Sequence, residues 1–120
     1  MNPFIMVALG GALGASFRYG CQLLIIQWSA SSFPIGTLTV NALGSFLIGF
    51  GWLLLGNDQT RLLFLVGLLG GFTTFSSFSM ETIKLWENGM STMAAMNILL
   101  NNVVAIGLCW LGYQAGKLII

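Results

Sequence analysis

The chain carries very few charged residues. Of its 120 residues, four are Lys or Arg, three are Asp or Glu and none is His, so only 6% are charged. A soluble domain carries about 25% charged residues, and this inventory cannot cover a water-facing surface. The formal net charge of +1 gives no basis for binding nucleic acid. With 57% hydrophobic residues and a mean hydropathy of +0.92, the composition predicts an integral membrane protein.

The missing residue types also exclude most site chemistry. Without histidine, and with two cysteines that have no partner ligands nearby, zinc and iron sites are excluded. We predict that Cys21 and Cys109 are buried, inert thiols. An enzyme is not expected, because acid–base catalysis needs histidine, a reactive thiol setting or paired carboxylates. No Lys or Arg precedes the first apolar run, which favours a permanent helix over a cleaved signal peptide.

Four apolar runs are long enough to cross a membrane, since a spanning helix needs about 20 residues. The predicted helices cover about residues 3–27, 35–55, 62–83 and 92–117, and the polar loops "WSASSFP", "GNDQTR" and "KLWENGMS" join them. These helices use up the chain, so we expect one all-α transmembrane domain over residues 1–120. Small residues recur at four-residue spacing within the runs, which favours close helix packing in lipid.

The few cationic residues are spread almost evenly over the two sides of the membrane. Four spans place Arg61 and Lys117 on one side, and Lys84 and Arg18 towards the other. The positive-inside rule therefore has almost no bias to act on. Two explanations stay open here: copies insert in both orientations and pair antiparallel, or the loop charges are simply few.

One stretch, "GLLGGFTTFSSFSME" from Gly67 to Glu81, differs from the other apolar runs. Its adjacent glycines, Gly70 and Gly71, weaken a helix, and the hydroxyl residues that follow can bond to the backbone instead of continuing the helical ladder. We predict that the third helix breaks near residues 70–75 and exposes backbone groups that bind ions of either sign. The alternative is a continuous helix in which Ser and Thr bond back to the preceding turn and the glycines permit packing.

Neutral polar side chains around this stretch predict a path for a small anion. Phe75 and Phe78 lie on one face of the third helix, and the positive edges of their rings can meet an anion without offering a countercharge. The neighbouring hydrogen-bond donors are neutral side chains: Ser76, Ser77, Asn41 and the i, i+4 pair Asn97 and Asn101. Such a track suits an anion that must not be held too tightly. Alternatively, the phenylalanines face lipid or the core, and the asparagines join helices.

Three stretches carry a resemblance to a known family. "GGALGASFRY", "PIGTLTVNALGSFLIG" and "GLLGGFTTFSSFSMET" resemble the Fluc family of small bacterial fluoride channels. They cover the first three helices in register. The resemblance implies a four-helix protomer of the bacterial inner membrane that pairs in the lipid bilayer as an antiparallel, dual-topology homodimer with two pores. It also implies passive, selective export of fluoride, which gives fluoride resistance.

The resemblance also assigns roles to individual residues. It places six residues along the fluoride path: Phe75, Phe78, Asn41, Ser76, Ser77 and Thr37. Arg18 and Glu81 match residues at the vestibule. A structural Na⁺ at the dimer interface would be held by the backbone carbonyls of Gly70 and Thr73 from both subunits, and no organic cofactor is implied.

The fourth helix departs from the family pattern. Many relatives carry a tyrosine and serines at four-residue spacing along its pore face, where this chain has Asn97, Asn101 and Ala105. The two asparagines can still donate hydrogen bonds and continue the track, whereas Ala105 cannot.

Two other classes of protein fit parts of the sequence. A small multidrug transporter also has four helices, but proton coupling needs a membrane-embedded carboxylate. The first, second and fourth predicted helices contain no Asp or Glu. A non-conducting assembly subunit would explain the small residues and the asparagines as packing and interhelical contacts, but it leaves a broken helix unexplained.

Overall fold

Four helical spans make up the protein in the computed structural model, which describes residues 1–29 and 31–120. The spans are α1 (Pro3–Trp28), α2 (Ile35–Leu54), a third span of several segments (Asp58–Glu87) and a last helix (Ser91–Ile119). Each is long and apolar enough to cross a membrane, and the described residues contain no strand. The prediction of an all-α membrane protein with four spans is confirmed.

The spans begin where the sequence supplies caps. Asn2 accepts a hydrogen bond from the Phe4 N–H at 2.8 Å, and Pro3 occupies the first helical position, where a missing N–H costs nothing. Asn57 caps the third span by accepting from two backbone N–H groups, so this span begins at Asp58, earlier than predicted. The predicted first loop includes Ala30, which lies outside the described residues.

The third span changes its winding before it breaks. A short α3 (Asp58–Arg61) leads into a π-helical segment (Leu62–Leu69) and then into α4 (Gly70–Phe72). Thr73 and Thr74 are extended, with ψ of 156° and 119°, and α5 (Phe75–Glu87) completes the span. The last helix is therefore α6. This arrangement agrees with the predicted break and excludes the alternative of a continuous helix.

The break lies within the predicted residues 70–75, but Gly70 and Gly71 themselves stay helical. Gly70 has helical angles (φ −61°, ψ −39°), and Gly71 lies within α4. A Cβ on Gly71 would come within 2.7 Å of the Gly11 carbonyl oxygen, so this glycine serves the contact with α1. The chain leaves the helix two residues later, at Thr73.

Glycines bring the helix backbones into direct contact at two crossings. A Cβ on Gly10 would overlap the Leu63 carbonyl, and one on Gly14 would overlap the Leu68 carbonyl, where α1 crosses the π-helical segment. At the crossing of α2 and α6, a Cβ on Gly49 would overlap the Cys109 carbonyl. Close packing at small residues, expected from their spacing, is confirmed.

The two cysteines are free, and both are half-buried. Both thiols are therefore less buried than predicted. A single copy consists of four spans with little interior, so side chains on its helix flanks remain partly uncovered.

Candidate functional site

Asn41 on α2 pairs with the backbone of the broken segment. Its Nδ2 donates to the Thr74 carbonyl oxygen at 3.0 Å, and its Oδ1 accepts from the Thr74 N–H at 2.8 Å. Gly44, three residues further on, gives room for this approach, because a Cβ there would overlap the Thr73 methyl group. The amide makes the pair of hydrogen bonds that a neighbouring β-strand would make. It thereby satisfies both backbone groups of an extended residue at membrane depth.

The same contacts deprive two carbonyls of their helical partners. In a continued helix the Thr74 N–H would bond to the Gly70 carbonyl, but it bonds to Asn41 Oδ1 instead. The Ser77 N–H, which would bond to the Thr73 carbonyl, donates to Thr74 Oγ1 at 3.1 Å and so caps α5. The carbonyl oxygens of Gly70 and Thr73 are thereby left with no i+4 donor.

A chain of amides continues from Asn41 into α6. Asn41 Nδ2 also donates to Asn101 Oδ1 at 3.0 Å, and Asn101 Nδ2 donates to Asn97 Oδ1 at 2.8 Å. Asn97 Nδ2 then donates to Thr82 Oγ1 on α5 at 2.8 Å. Asn97 is 0% and Asn101 6% exposed. The interhelical contact that the sequence left as an alternative for these asparagines is therefore present.

The two phenylalanines form an edge-to-face pair at the start of α5. Their ring centroids lie 5.1 Å apart with an interplanar angle of 61°. Phe78 is buried at 6% exposure, whereas Phe75 is 73% exposed and projects from the protein surface. The ring edges of such a pair carry partial positive charge, so this end of α5 offers a weakly electropositive surface without a formal charge.

We call the cavity beside the break the central groove. It has a volume of about 360 Å³, and α2, the break and α6 line it. Six of the residues predicted from the sequence lie along its wall: Asn41, Gly70, Thr73, Phe75, Phe78 and Asn101. Ala105, the position on α6 without a donor, lies there as well.

A second cavity, the terminal groove, opens at the end of the protein that carries the connection from α1 to α2. Its volume is about 670 Å³, and Thr37, Ser77 and Glu81 line it together with Gln22 and Lys84. Gln22 Nε2 donates to Thr37 Oγ1 at 3.1 Å. One Glu81 oxygen, Oε1, is buried and has no hydrogen-bond partner among the described residues.

A polar seam joins the two grooves. Ser77 lines the terminal groove, and its backbone N–H bonds to the hydroxyl of Thr74, which lines the central groove. Thr37 and Asn41 are one turn apart on the same face of α2. Hydroxyl and amide groups therefore lie between the two grooves.

Three predicted residues line neither groove: Asn97, which is fully buried, Arg18 and Ser76. Arg18 Nε donates to the Gly71 carbonyl oxygen at 3.1 Å and satisfies a group that the break left free. Ser76 is exposed, and its hydroxyl lies 3.3 Å from Thr74 Oγ1. Conversely, Gln22 and Thr82 were missed in the sequence, because only the rotation of the helices shows that they face Thr37 and Asn97.

The fold and the site define a class of membrane protein: four spans, with the third unwound beside a groove of neutral donors and phenyl edges. The model of the family described as CrcB-like protein, Camphor Resistance (CrcB), matches residues 5–113, and the chain belongs to this family.

Curated relatives support the assignment. The chain is 46% identical over 118 residues to proteins of Shewanella sp. (strain ANA-3) and Shewanella oneidensis, and 44% identical to one of Shewanella baltica (strain OS185). Each is named "Fluoride-specific ion channel FluC", and each alignment covers 95% of both chains. The resemblance drawn from the three motifs is confirmed, and the chain is a multi-pass membrane protein of a bacterial family.

Proposed function

We propose that this protein is a fluoride-selective channel that lets fluoride leave the bacterial cytoplasm passively across the inner membrane. The observation that carries the proposal is the break in the third span. There Asn41 hydrogen-bonds both backbone groups of Thr74, next to the Phe75–Phe78 pair. The names of the relatives indicate that the ion is fluoride. Neutral donors can replace part of the hydration shell of a small anion without binding it as tightly as a cation would.

The proposed path runs from the terminal groove to the central groove. Fluoride is received by the hydroxyls of Thr37 and Ser77 and moves along the seam to Asn41 and the phenyl edges. Asn41 then exchanges its bond to Asn101 Oδ1, 3.0 Å long, for one to the passing ion. Asn97 supports this exchange, because its Oδ1 accepts a hydrogen bond from Asn101 Nδ2 and so keeps the Asn101 side chain in place.

A second copy would complete the path. In lipid, an unsatisfied backbone carbonyl costs several kcal/mol, so the groove that holds the Gly70 and Thr73 carbonyls needs a protein cover. The exposed ring of Phe75 gives the same face a projecting apolar anchor. An antiparallel homodimer covers the face symmetrically, and the even spread of cations over the two ends fits insertion in both orientations.

The orientation can be measured directly. In an Asp58→Cys variant made after removal of Cys21 and Cys109, an impermeant maleimide should label about half of the copies from each side of intact vesicles, as dual insertion by an unbiased charge pattern predicts. Labelling from one side only would exclude the antiparallel dimer.

The carbonyls at the break fit a sodium ion at the centre of this dimer. Hard cations take oxygen ligands, and unwound helix carbonyls bind Na⁺ at membrane depth. Gly70 and Thr73 offer two carbonyls without helical partners on one groove wall. Two copies would supply four such oxygens, and the bound ion would neutralise their negative ends and hold the two breaks together.

Sodium is expected to stabilise the purified protein against heat. A ligand that binds only the folded dimer adds stability by mass action, about 2.7 kcal/mol at a hundredfold excess over its Kd. The measurement is the thermal midpoint of protein prepared and held in sodium, potassium or N-methylglucamine salts at equal ionic strength. A midpoint several degrees higher in sodium is expected, and equal midpoints in the three salts would remove the ion from the proposal.

Efflux from liposomes tests the function itself. Purified protein is reconstituted with internal fluoride, and a fluoride electrode follows efflux after valinomycin is added; the experiment is then repeated with chloride. Rapid, valinomycin-dependent fluoride efflux without chloride efflux is expected. Folded protein that passes neither ion, or both equally, would contradict a selective fluoride channel and would favour an assembly subunit or a less selective transporter.

Replacing either phenylalanine by isoleucine is expected to lower fluoride flux roughly tenfold, which corresponds to about 1.4 kcal/mol of ion stabilisation. The reason is that isoleucine keeps apolar bulk but lacks the positive ring edge. Phe75→Ile should leave the fold unchanged, because that ring is 73% exposed within the protomer. Phe4→Ile, at an 85% exposed position on α1, is the matched control and should conduct normally. Undiminished flux in both the Phe75 and the Phe78 variants would exclude the phenyl edges from the fluoride path.

A further inference from the structure

Asn102 of α6 is an exposed amide at the depth of the break. It follows Asn101, which accepts a hydrogen bond from Asn41, and Asn41 in turn holds Thr74 of the break. Polar side chains at this depth in a membrane usually face a cavity or another helix instead of lipid. Asn102 lines the central groove. Its amide therefore faces the groove in which the proposed path ends.

Most of the amide hydrogens on the wall of the central groove are already used. A side-chain amide has two hydrogens to donate. Asn41 Nδ2 makes two hydrogen bonds, and Asn101 Nδ2 donates to two oxygens of Asn97. Among the described residues, Asn102 Nδ2 donates only to the Ile98 carbonyl oxygen, at 2.7 Å. Its second hydrogen is therefore available in the groove.

Ser45 continues a row of polar side chains on α2. Thr37, Asn41 and Ser45 follow one another at four-residue spacing and so share one face of the helix. Thr37 lines the terminal groove, whereas Asn41 and Ser45 line the central groove. The Ser45 hydroxyl can donate one hydrogen bond. The row therefore extends one turn past Asn41, away from the terminal groove.

The helices α2 and α6 lie side by side and run in the same direction. A Cβ on Gly112 would overlap the Phe46 carbonyl, and one on Gly116 would come within 2.7 Å of the Phe50 carbonyl oxygen. Four residues further along one helix thus correspond to four residues further along the other. One turn past the bonded pair of asparagines, α6 presents Ala105, which lines the same groove but has no donor.

We infer that Ser45 and Asn102 form the far end of the proposed fluoride path and supply the donors that Ala105 lacks. The inference rests on the proposed function. Asn102 lies three residues before Ala105 and therefore on the same side of α6. An ion that leaves Asn41 would otherwise meet an apolar wall, whereas a hydroxyl on α2 and an amide hydrogen on α6 offer it two neutral donors. Neutral donors also let the ion leave again.

The first test replaces Asn102 by leucine, which has a similar shape and no donor. Fluoride efflux from liposomes is expected to fall about three- to tenfold, the effect of one lost hydrogen bond. Val103→Leu, at a 60% exposed position outside the central groove, is the matched control and should transport as the parent protein does. Parent-level efflux from Asn102→Leu would overturn the inference and leave the channel proposal standing. Absence of fluoride efflux from the parent protein would be a failure of the channel proposal instead.

A relocated donor separates contact with the ion from packing. Ala105→Ser, made in the Asn102→Leu background, places a hydroxyl on the same face of α6 and should restore most of the lost efflux. A hydroxyl at a different position would not replace a contact that Asn102 makes with a second copy of the chain. A loss of efflux that Ala105→Ser leaves unrepaired would therefore overturn the inference.

Ser45→Ala tests the other wall of the groove. Efflux is again expected to fall about three- to tenfold, because alanine keeps the small volume and removes the hydroxyl. Ser16→Ala, at an exposed position of α1 outside both grooves, is the matched control and should leave efflux unchanged. Parent-level efflux from Ser45→Ala would overturn the assignment of Ser45 to the path.

Discussion

Asn41→Asp is expected to lower fluoride efflux by at least about 100-fold, or about 2.7 kcal/mol. The Asn41 amide donates both of its hydrogens, to the Thr74 carbonyl and to Asn101 Oδ1, each at 3.0 Å. A carboxylate has no hydrogens to donate, so it would face two acceptors at hydrogen-bonding distance. It would also place a negative charge between the two grooves, where the anion must pass. Both effects oppose conduction.

The measurement is liposome efflux from protein that elutes as a single dispersed species. Asn41→Ser, which keeps a neutral donor, should retain part of the flux and so separate the effect of charge from that of lost bonds. Asn57→Asp is the control for an added carboxylate, because Asn57 acts only as a cap that accepts from Gln59 N and Thr60 N, and Asp caps a helix equally well. Parent-level efflux from folded Asn41→Asp protein would exclude Asn41 from the path.

Gly14→Val is expected to abolish recovery of folded protein. A Cβ at this position would overlap the carbonyl of Leu68 and would come within 2.9 Å of the Phe72 amide nitrogen, and these are backbone atoms that cannot turn aside. Overpacking costs about 1–3 kcal/mol even where side chains can adjust, so a clash with backbone should exceed that range. The displaced α1 would also draw Arg18 away from the Gly71 carbonyl.

The matched control for this substitution lies on the same helix. A Cβ on Gly20 would meet nothing within 4 Å, so Gly20→Val adds the same side chain without a clash. Size-exclusion profiles and thermal midpoints in detergent measure both variants. Gly20→Val should behave as the parent protein does, and a normal midpoint for Gly14→Val would show that α1 does not pack on the third span as described.

Elements that depend on local chemistry could be predicted from the sequence. Hydropathy and length gave the four spans, because each apolar run must satisfy its backbone within itself in lipid. The existence of a break in the third span could be predicted too, since hydroxyl residues following small ones compete with the helical ladder.

The break could be placed only to within residues 70–75, because another helix decides at which residue the chain leaves the helical ladder. The Thr74 N–H leaves the helical ladder for Asn41, which lies 33 residues earlier in the chain, and the third span alone gives no sign of this partner. Gly71, one of the two strongest local breakers, stays helical where it packs against Gly11 of α1.

The partners of the polar side chains also depend on tertiary structure. Gln22 meets Thr37 and Thr82 meets Asn97 across 15 residues in each case. Helix rotation brings these pairs together, and composition and spacing carry little information on rotation. Arg18, which the family resemblance places at a vestibule, donates to the Gly71 carbonyl, 53 residues away.

The wide winding of Leu62–Leu69 has a consequence for how this span tolerates changes of length. A π-helical turn accommodates an extra residue within an α-helix, with bonds from i to i+5 instead of i to i+4. Deletion of one residue from this segment can therefore be absorbed by a return to α-helical winding, with Asn57 and Gly70 left at the two ends. The segment can therefore compensate for the loss of one residue between Asn57 and the break, and Thr74 can keep its partner on α2.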